Sequence, residues 1–216
     1  MAFLSKQPGA ASSGRLAGRV ANVGGVALGL LLLCPAAMAA TLTYKTLEPS
    51  GQALDSVVVT LLPAGRVALP APRPAQIEQV KKTFIPMVSV VQTGTLIDFP
   101  NNDTVRHHVY SFSASKVFEL KLYTGTAAKP VLFDKPGVVV LGCNIHDKMV
   151  AYVVVADTPW FGVSGSDGML SIENVPTGDY LLQTWHPRRL GQPEAPARPV
   201  RVAADATESL TIDLKP

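Results

Sequence analysis

Cysteine is almost absent from this chain of 216 residues, which carries only Cys34 and Cys143. Cys34 lies in an N-terminal stretch with Lys6, Arg15 and Arg19 but no acidic residue, followed by a nearly apolar run from Val20 to Leu33 and the small-residue site Ala37-Met38-Ala39. Basic head, apolar middle and small-residue cleavage site make a secretory signal peptide, placed here at residues 1–40. Cys143 is then the single cysteine of the exported chain. That excludes an intramolecular disulfide and any centre bridged by two cysteines, and it makes an exposed free thiol a hazard in an oxidising compartment.

Long apolar runs are also missing. Val20 to Leu33 is too short and too interrupted by glycine for a membrane span, which needs about 20 apolar residues. A lipidated Cys34 is disfavoured because Leu33 is not the small residue such a site requires. An excess of one charge is missing too: without Lys6, Arg15 and Arg19, 16 basic residues face 16 acidic ones. A nucleic-acid partner thereby loses its main support. Finally, no segment sustains a 3.6-residue apolar period, and 18 prolines and 17 glycines are spread along the chain. The remaining 176 residues read as nearly all β.

What the chain does have is concentrated in Gly142-Cys143-Asn144-Ile145-His146-Asp147-Lys148-Met149. A thiolate, an imidazole and a thioether follow one another as Cys-x2-His-x2-Met. These are three of the donors of a blue-copper site, whose trigonal plane of two imidazoles and a thiolate, with a weak axial thioether, suits both oxidation states of copper. The fourth donor is sought upstream, where His107 and His108 open an apparent strand after Asn101-Asn102-Asp103. Adjacent side chains of a strand project to opposite faces, so only one of these two histidines can face the metal. Zinc would gain little from Met149. A Cys-His nucleophilic pair lacks an orienting group and an oxyanion donor.

The dense strand signals run from Phe84 to Val155, with turns at Gly94, Asn101-Asn102-Asp103, Gly125 and Lys135-Pro136-Gly137, as in a sandwich or barrel. Val138 to Leu141 and Val150 to Val155 are continuously apolar and are expected to be central strands covered on both faces. Cys143 and Met149 hang from their ends. Leu69-Pro70-Ala71-Pro72-Arg73-Pro74 reads as a linker, and Gln76 to Lys82 as a possible short helix. Ser166-Asp167-Gly168 and Val175-Pro176-Thr177-Gly178-Asp179 are turns between further short strands.

The loop, with Phe84-x-Pro86 and Gly94-Thr95-x-Ile97-x-Phe99-x-Asn101 ahead of it, resembles the cupredoxins, and its ligand spacing resembles the amicyanin branch. The phrases HHVYSFS, FELKLY, LGCNIHDKM, DTPWF and TWHPR are similar to bacterial proteins of the methylamine-utilisation or plastocyanin-like type. The resemblance covers roughly Phe84 to Arg189. It implies an all-β, cupredoxin-like Greek-key sandwich and a periplasmic electron carrier, not an enzyme. One type 1 copper is implied, on His107, Cys143, His146 and Met149. The implied partner is a c-type cytochrome or a periplasmic dehydrogenase. His107 takes the ligand position because the family's following asparagine aligns with His108. The role of bracing the ligand imidazole then falls to His108, Asn101 or Asn102. The loop departs from amicyanin in carrying Asn144, Ile145, Asp147 and Lys148 between its donors, which makes its edge more polar.

Gly168-x-x-x-Ile172-x-x-Val175-Pro176-x-Gly178-x-Tyr180 resembles a hairpin of carboxypeptidase-regulatory-like sandwiches. The expected organisation is therefore a cupredoxin module, 76–158, inserted between two parts of an accessory sandwich, 41–75 and 159–216. A single enlarged sandwich is the alternative. Trp160 and Phe161 are read as packing residues, and His186 as a strand-end residue of the accessory part. The competing function is an envelope-binding or assembly module with a structural or sensory copper.

Overall fold

Strict alternation builds the first strand: Ala40, Leu42, Tyr44 and Thr46 are buried while their neighbours are not, along Ala39–Leu47. The structure is a computed structural model that describes residues 39–126 and 129–214, so the signal peptide lies outside the described residues apart from Ala39 and Ala40. This strand pairs antiparallel with Met169–Pro176 and parallel with Ala206–Thr211. A second sheet runs in the order Phe161–Val163, Val58–Pro63, Gly178–Trp185, Arg198–Val202. The two sheets share one core that includes Leu42, Tyr44, Val59, Leu61, Trp160 and Leu182. Early and late parts of the chain thus meet in a single apolar interior.

A separate core is formed by the residues between them, among them Phe99, Val109, Phe133, Val139, Leu141 and Val153. Its five-stranded sheet has the order Val88–Gln92, Val150–Ala156, Gly137–Gly142, His107–Ser113, Lys116–Tyr123. Facing it is a smaller sheet of Val131–Phe133, Thr95–Asp98 and Ala75–Gln76. The fold is nearly all β, as expected. Among the described residues no helix is long and apolar enough to cross a membrane.

The two continuously apolar strands are explained by their two faces. Ala151, Val153 and Val155 are buried in the core just described. Val154 and Ala156, on the other face, join Val138, Val58, Thr60 and Gln183 in lining a cleft of about 590 Å³. Tyr152, on that same face, packs its ring 5.5 Å from Trp185. Each β-branched side chain so buried stabilises the fold by roughly 1.5–3 kcal/mol relative to exposure.

The stretch 76–82, whose few periodic positions left a helical turn open, forms no helix. Ala75–Gln76 and Glu78–Val80 are extended, with Ile77 N–H donating to Asp98 O at 2.9 Å and Gln79 N–H to Pro100 O at 2.9 Å. Ile77 and Gln79 are both buried, which is a period of two. Hydrogen bonding to the segment at Asp98 and Pro100 of the same chain holds it extended. The segment turns through Lys81 and Lys82, both at positive φ, and returns as Thr83–Ile85.

Candidate metal centre

The Cys-x2-His-x2-Met loop is held open between two adjacent strands. Gly137–Gly142 pairs with Val150–Ala156 through Gly142 and Val150, so residues 143–149 bridge one end of the sheet. Met149 N–H donates to His146 O at 2.9 Å, closing the loop on itself. Gly142 also pairs with Tyr110. A Cβ there would stand 2.8 Å from the Tyr110 ring, so any larger residue before Cys143 would have to push that ring aside.

His107 opens the next strand at the same end and is fully buried, while Cys143 is 4 % exposed. Cys143 Sγ lies 3.9 Å from His107 Nδ1 and 4.0 Å from His146 Nδ1. The two imidazole rings are 5.1 Å apart, centroid to centroid. One donor atom from each of the three residues falls within 4.8 Å of the others. A trigonal first-row metal, bonded at about 2.0 Å to nitrogen and 2.3 Å to sulfur, separates such donors by about 3.7 Å. The two edges from Cys143, 3.9 and 4.0 Å, come close to that separation. Met149, 1 % exposed, is in the same apolar core as Cys143.

Strand alternation separates the two upstream histidines. His107 faces Cys143, whereas the His108 ring packs 5.6 Å from that of Tyr110. His108 Nε2 is 2.9 Å from Glu119 Oε1, but the geometry is too bent for a hydrogen bond and both ring nitrogens of His108 lack a partner. The ladder slips a residue between His107 and Val109, which places His108 at the irregularity. It does not brace the centre.

That task belongs to a residue the sequence reading passed over. His107 Nε2 is 2.8 Å from Asp103 Oδ2. A carboxylate only accepts, so Nε2 carries the proton and the Nδ1 lone pair is left facing Cys143. Asp103 also accepts the backbone N–H groups of Lys81 and Lys82, each at 2.7 Å. Its carboxyl is held below the usual value, first by the Lys82 N–H, against partial burial, and then by His107 and the Lys81 N–H. The missed signal was the spacing: Asp103 precedes His107 by four residues across a turn.

Asn101 and Asn102, expected as possible braces of the ligand, act elsewhere. Asn101 Nδ2 donates to Val105 O at 2.9 Å and to Tyr123 O at 2.8 Å, and its Oδ1 accepts from Asp103 N–H at 3.0 Å. It shapes the loop that presents Asp103. Asn102 reaches Glu78. Below the loop, buried Gln79 donates to Phe99 O and to the Tyr123 hydroxyl. Burial pushes that hydroxyl up to about 12, with the Gln79 bond opposing. His186 lies in the other sandwich, where its Nδ1 accepts from Arg188 N–H at 3.1 Å at the start of a short 3₁₀ turn. Trp160 is in that sandwich's core, and Phe161 is half-buried in the strand Phe161–Val163.

Neither a family model nor a curated protein matches the sequence. Solved structures do. A copper-containing nitrite reductase from Thermus scotoductus aligns at 25 % identity and a TM-score of 0.37, over 45 % of this chain. That alignment spans only 25 % of the reductase. A purple cupredoxin from Nitrosopumilus maritimus aligns at 24 % identity and TM-score 0.32, covering 38 % of this chain and 99 % of its own. An oxidised amicyanin variant aligns at 17 % identity and TM-score 0.34, over 47 % of this chain and all of the amicyanin.

Proposed function

We propose that the chain is an exported cupredoxin-like electron carrier holding one type 1 copper on His107, Cys143, His146 and Met149, with no substrate of its own. The observation that carries this reading is the convergence of one thiolate and two imidazoles within 4.8 Å, with His107 Nε2 already committed to Asp103. Copper there would supply a one-electron couple between its two oxidation states. The protein's own contribution is to fix donors from two strands so that the plane moves little, and to keep water from a centre whose thiol and first imidazole are buried. With residues 1–40 read as a leader, such a carrier would work in the periplasm. A c-type cytochrome or a periplasmic dehydrogenase would be its partner, and methylamine oxidation is the pathway the sequence resemblance suggests. We divide the exported chain into a copper module, 76–158, and the two parts of an accessory sandwich, 41–75 and 159–216; the two separate cores support that division.

The visible spectrum of copper-loaded protein tests the reading. An intense thiolate-to-copper band should be present in the native chain and absent from Cys143→Ser, with the β fold kept. A band that survives in the serine variant would sink the assignment. The second reading, a binding or assembly module with structural or sensory copper, is favoured by the cleft of about 590 Å³, of a size that holds small ligands. Voltammetry separates the two, since a carrier must cycle reversibly by one electron.

A further inference from the structure

Two sheets meet by their outer faces at one point and leave a cleft beyond it. Strand alternation turns Val57, Val59 and Leu61 into the accessory core, so Val58, Thr60 and Leu62 look out from it. Gln183 and Trp185 stand opposite Thr60 and Val58 in the ladder and share that outer face. Trp185 meets Tyr152 of the five-stranded sheet, with ring centroids 5.5 Å apart. One row further on, Thr60 and Gln183 line one wall of the cleft of about 590 Å³, and Val138 and Val154 line the other. The loop after the short 3₁₀ turn adds a third wall, braced by Arg189 donating to Pro193 O at 3.2 Å and Gln192 N–H to Arg189 O at 3.0 Å.

The polar groups of this cleft are few, and most are already engaged. Ser115 Oγ donates to Pro136 O at 3.0 Å and Gln192 Nε2 to Arg188 O at 3.4 Å, while strand alternation turns Thr184 to the opposite face. The charged residues of the lining carry both signs. Asp157 and Glu194 are exposed, and half-buried Arg189 spends its guanidinium on the carbonyls of Asp213 and Pro193. Thr60 is different: it is only 6 % exposed, yet its hydroxyl has no hydrogen-bond partner among the described residues, and neither has the side-chain amide of Gln183. Apolar walls with one free hydroxyl and one free amide side by side have the make-up of a small-molecule site.

We propose that the cleft binds a neutral, largely apolar small molecule bearing a carbonyl or carboxamide group, with Thr60 and Gln183 as its hydrogen-bonding partners. A hydroxyl buried without a protein partner gains from any guest that completes it. The Gln183 amide offers a donor and an acceptor together, which a carboxamide or a carbonyl can match. A charged guest would give up its hydration against Val58, Val138 and Val154, with no counter-charge on those walls. The proposal supplies a ligand class for the cleft on which the binding reading above rests. It needs no copper, because none of His107, Cys143, His146 and Met149 lines the cleft.

The test titrates the methyl-labelled chain with three guests of one shape: 2-naphthamide, naphthalene and the anion 2-naphthoate. The methyl signals of Val58, Val138, Val154 and Leu190 should shift and saturate with 2-naphthamide. One net hydrogen bond changes an equilibrium by about three- to tenfold, so naphthalene should bind at least about threefold more weakly, and 2-naphthoate more weakly still. Thr60→Val, which keeps the shape of the side chain, should remove part of the preference for the amide. Thr60→Val with Gln183→Leu should remove all of it while naphthalene still binds. Shifts that never saturate would mean a water-filled gap. Equal affinity for naphthalene and the amide, tightest binding by 2-naphthoate, or shifts centred on exposed Phe112 and Val117 would each overturn the proposal as well. Cys143→Ser should bind 2-naphthamide as the native chain does. Failure of the cleft therefore leaves the copper band to decide the carrier reading, and a missing band leaves the cleft standing.

Discussion

Asp103 Oδ2 stands 2.8 Å from Nε2 of His107, four residues later in the chain, and this one contact decides which nitrogen of His107 faces Cys143. The carboxylate is itself clamped by two backbone N–H groups from the turn at Lys81 and Lys82. It therefore transmits the position of that turn to the candidate centre.

Asp103→Ala should accordingly weaken the centre without unfolding the sandwich. Losing an acceptor behind a metal-bound histidine typically lowers metal affinity 10–100-fold. The two N–H groups it releases lie near the surface and can turn to water, so stability should fall by only about 1–2 kcal/mol. Copper titration against a competing chelator, together with a thermal melt, checks both numbers. An unchanged affinity would reduce Asp103 to a loop clasp.

His107→Ala and His108→Ala should differ sharply. The first removes an imidazole whose Nδ1 is 3.9 Å from the Cys143 sulfur; the second removes one that packs against Tyr110 on the opposite face. Copper content and the visible band should be lost in the first variant and largely kept in the second. The Nε2 of His108 meets only exposed Glu119, at 2.9 Å, and exposed ion pairs contribute little, so its replacement should cost little beyond packing. The reverse pattern would move the ligand one residue on.

Much of this was legible because it depends on local rules. The apolar runs at Val138 and Val150 and the Cys-x2-His-x2-Met spacing are both visible along the chain. Strand alternation alone requires His107 and His108 to part. Asp103 was not legible as the brace, because its role depends on the turn at Lys81 and Lys82, more than 20 residues away, being bent into the left-handed region. The same distance hid the extended course of 77–79, where Ile77 and Gln79 donate to Asp98 and Pro100 on another part of the fold, besides the local pairing of Glu78–Val80 with Thr83–Ile85. Pairing across sequence separation of this kind leaves no periodic trace.

Stability of the accessory sandwich should depend on pH through His186. Burial lowers its pKa below the ordinary 6.5, with Arg188 adding to the effect and Asp55 opposing it. The folded state then favours the neutral ring, while the unfolded chain takes up a proton near pH 6.5. Stability is fully present above that value and is lost as pH falls through it toward the depressed folded value. Thermal melts from pH 7.5 to 5 should show this loss, and His186→Gln, which cannot titrate, should flatten that part of the curve. An identical pH slope in the variant would assign the loss to other groups.

Met149 should tune the centre rather than hold it. Its backbone N–H closes the loop on His146 O, and its side chain is buried in the core that also contains Cys143. An axial thioether bonds weakly, yet it competes with the thiolate for electron density and favours the reduced ion. Met149→Gln offers a harder oxygen donor of similar length, which favours the oxidised ion. Each tenfold change in the ratio of the two affinities moves a one-electron potential by about 59 mV, and a fall of at least that size is expected, with copper still bound. Burying an amide in place of a thioether should also cost about 1–3 kcal/mol unless the metal satisfies it. The variant should therefore be visibly less stable without copper and recover when loaded. Voltammetry and paired melts read these two effects separately. An unchanged potential, with the band intact and no recovery on loading, would place Met149 outside the coordination sphere, as the last core residue before the strand Val150–Ala156.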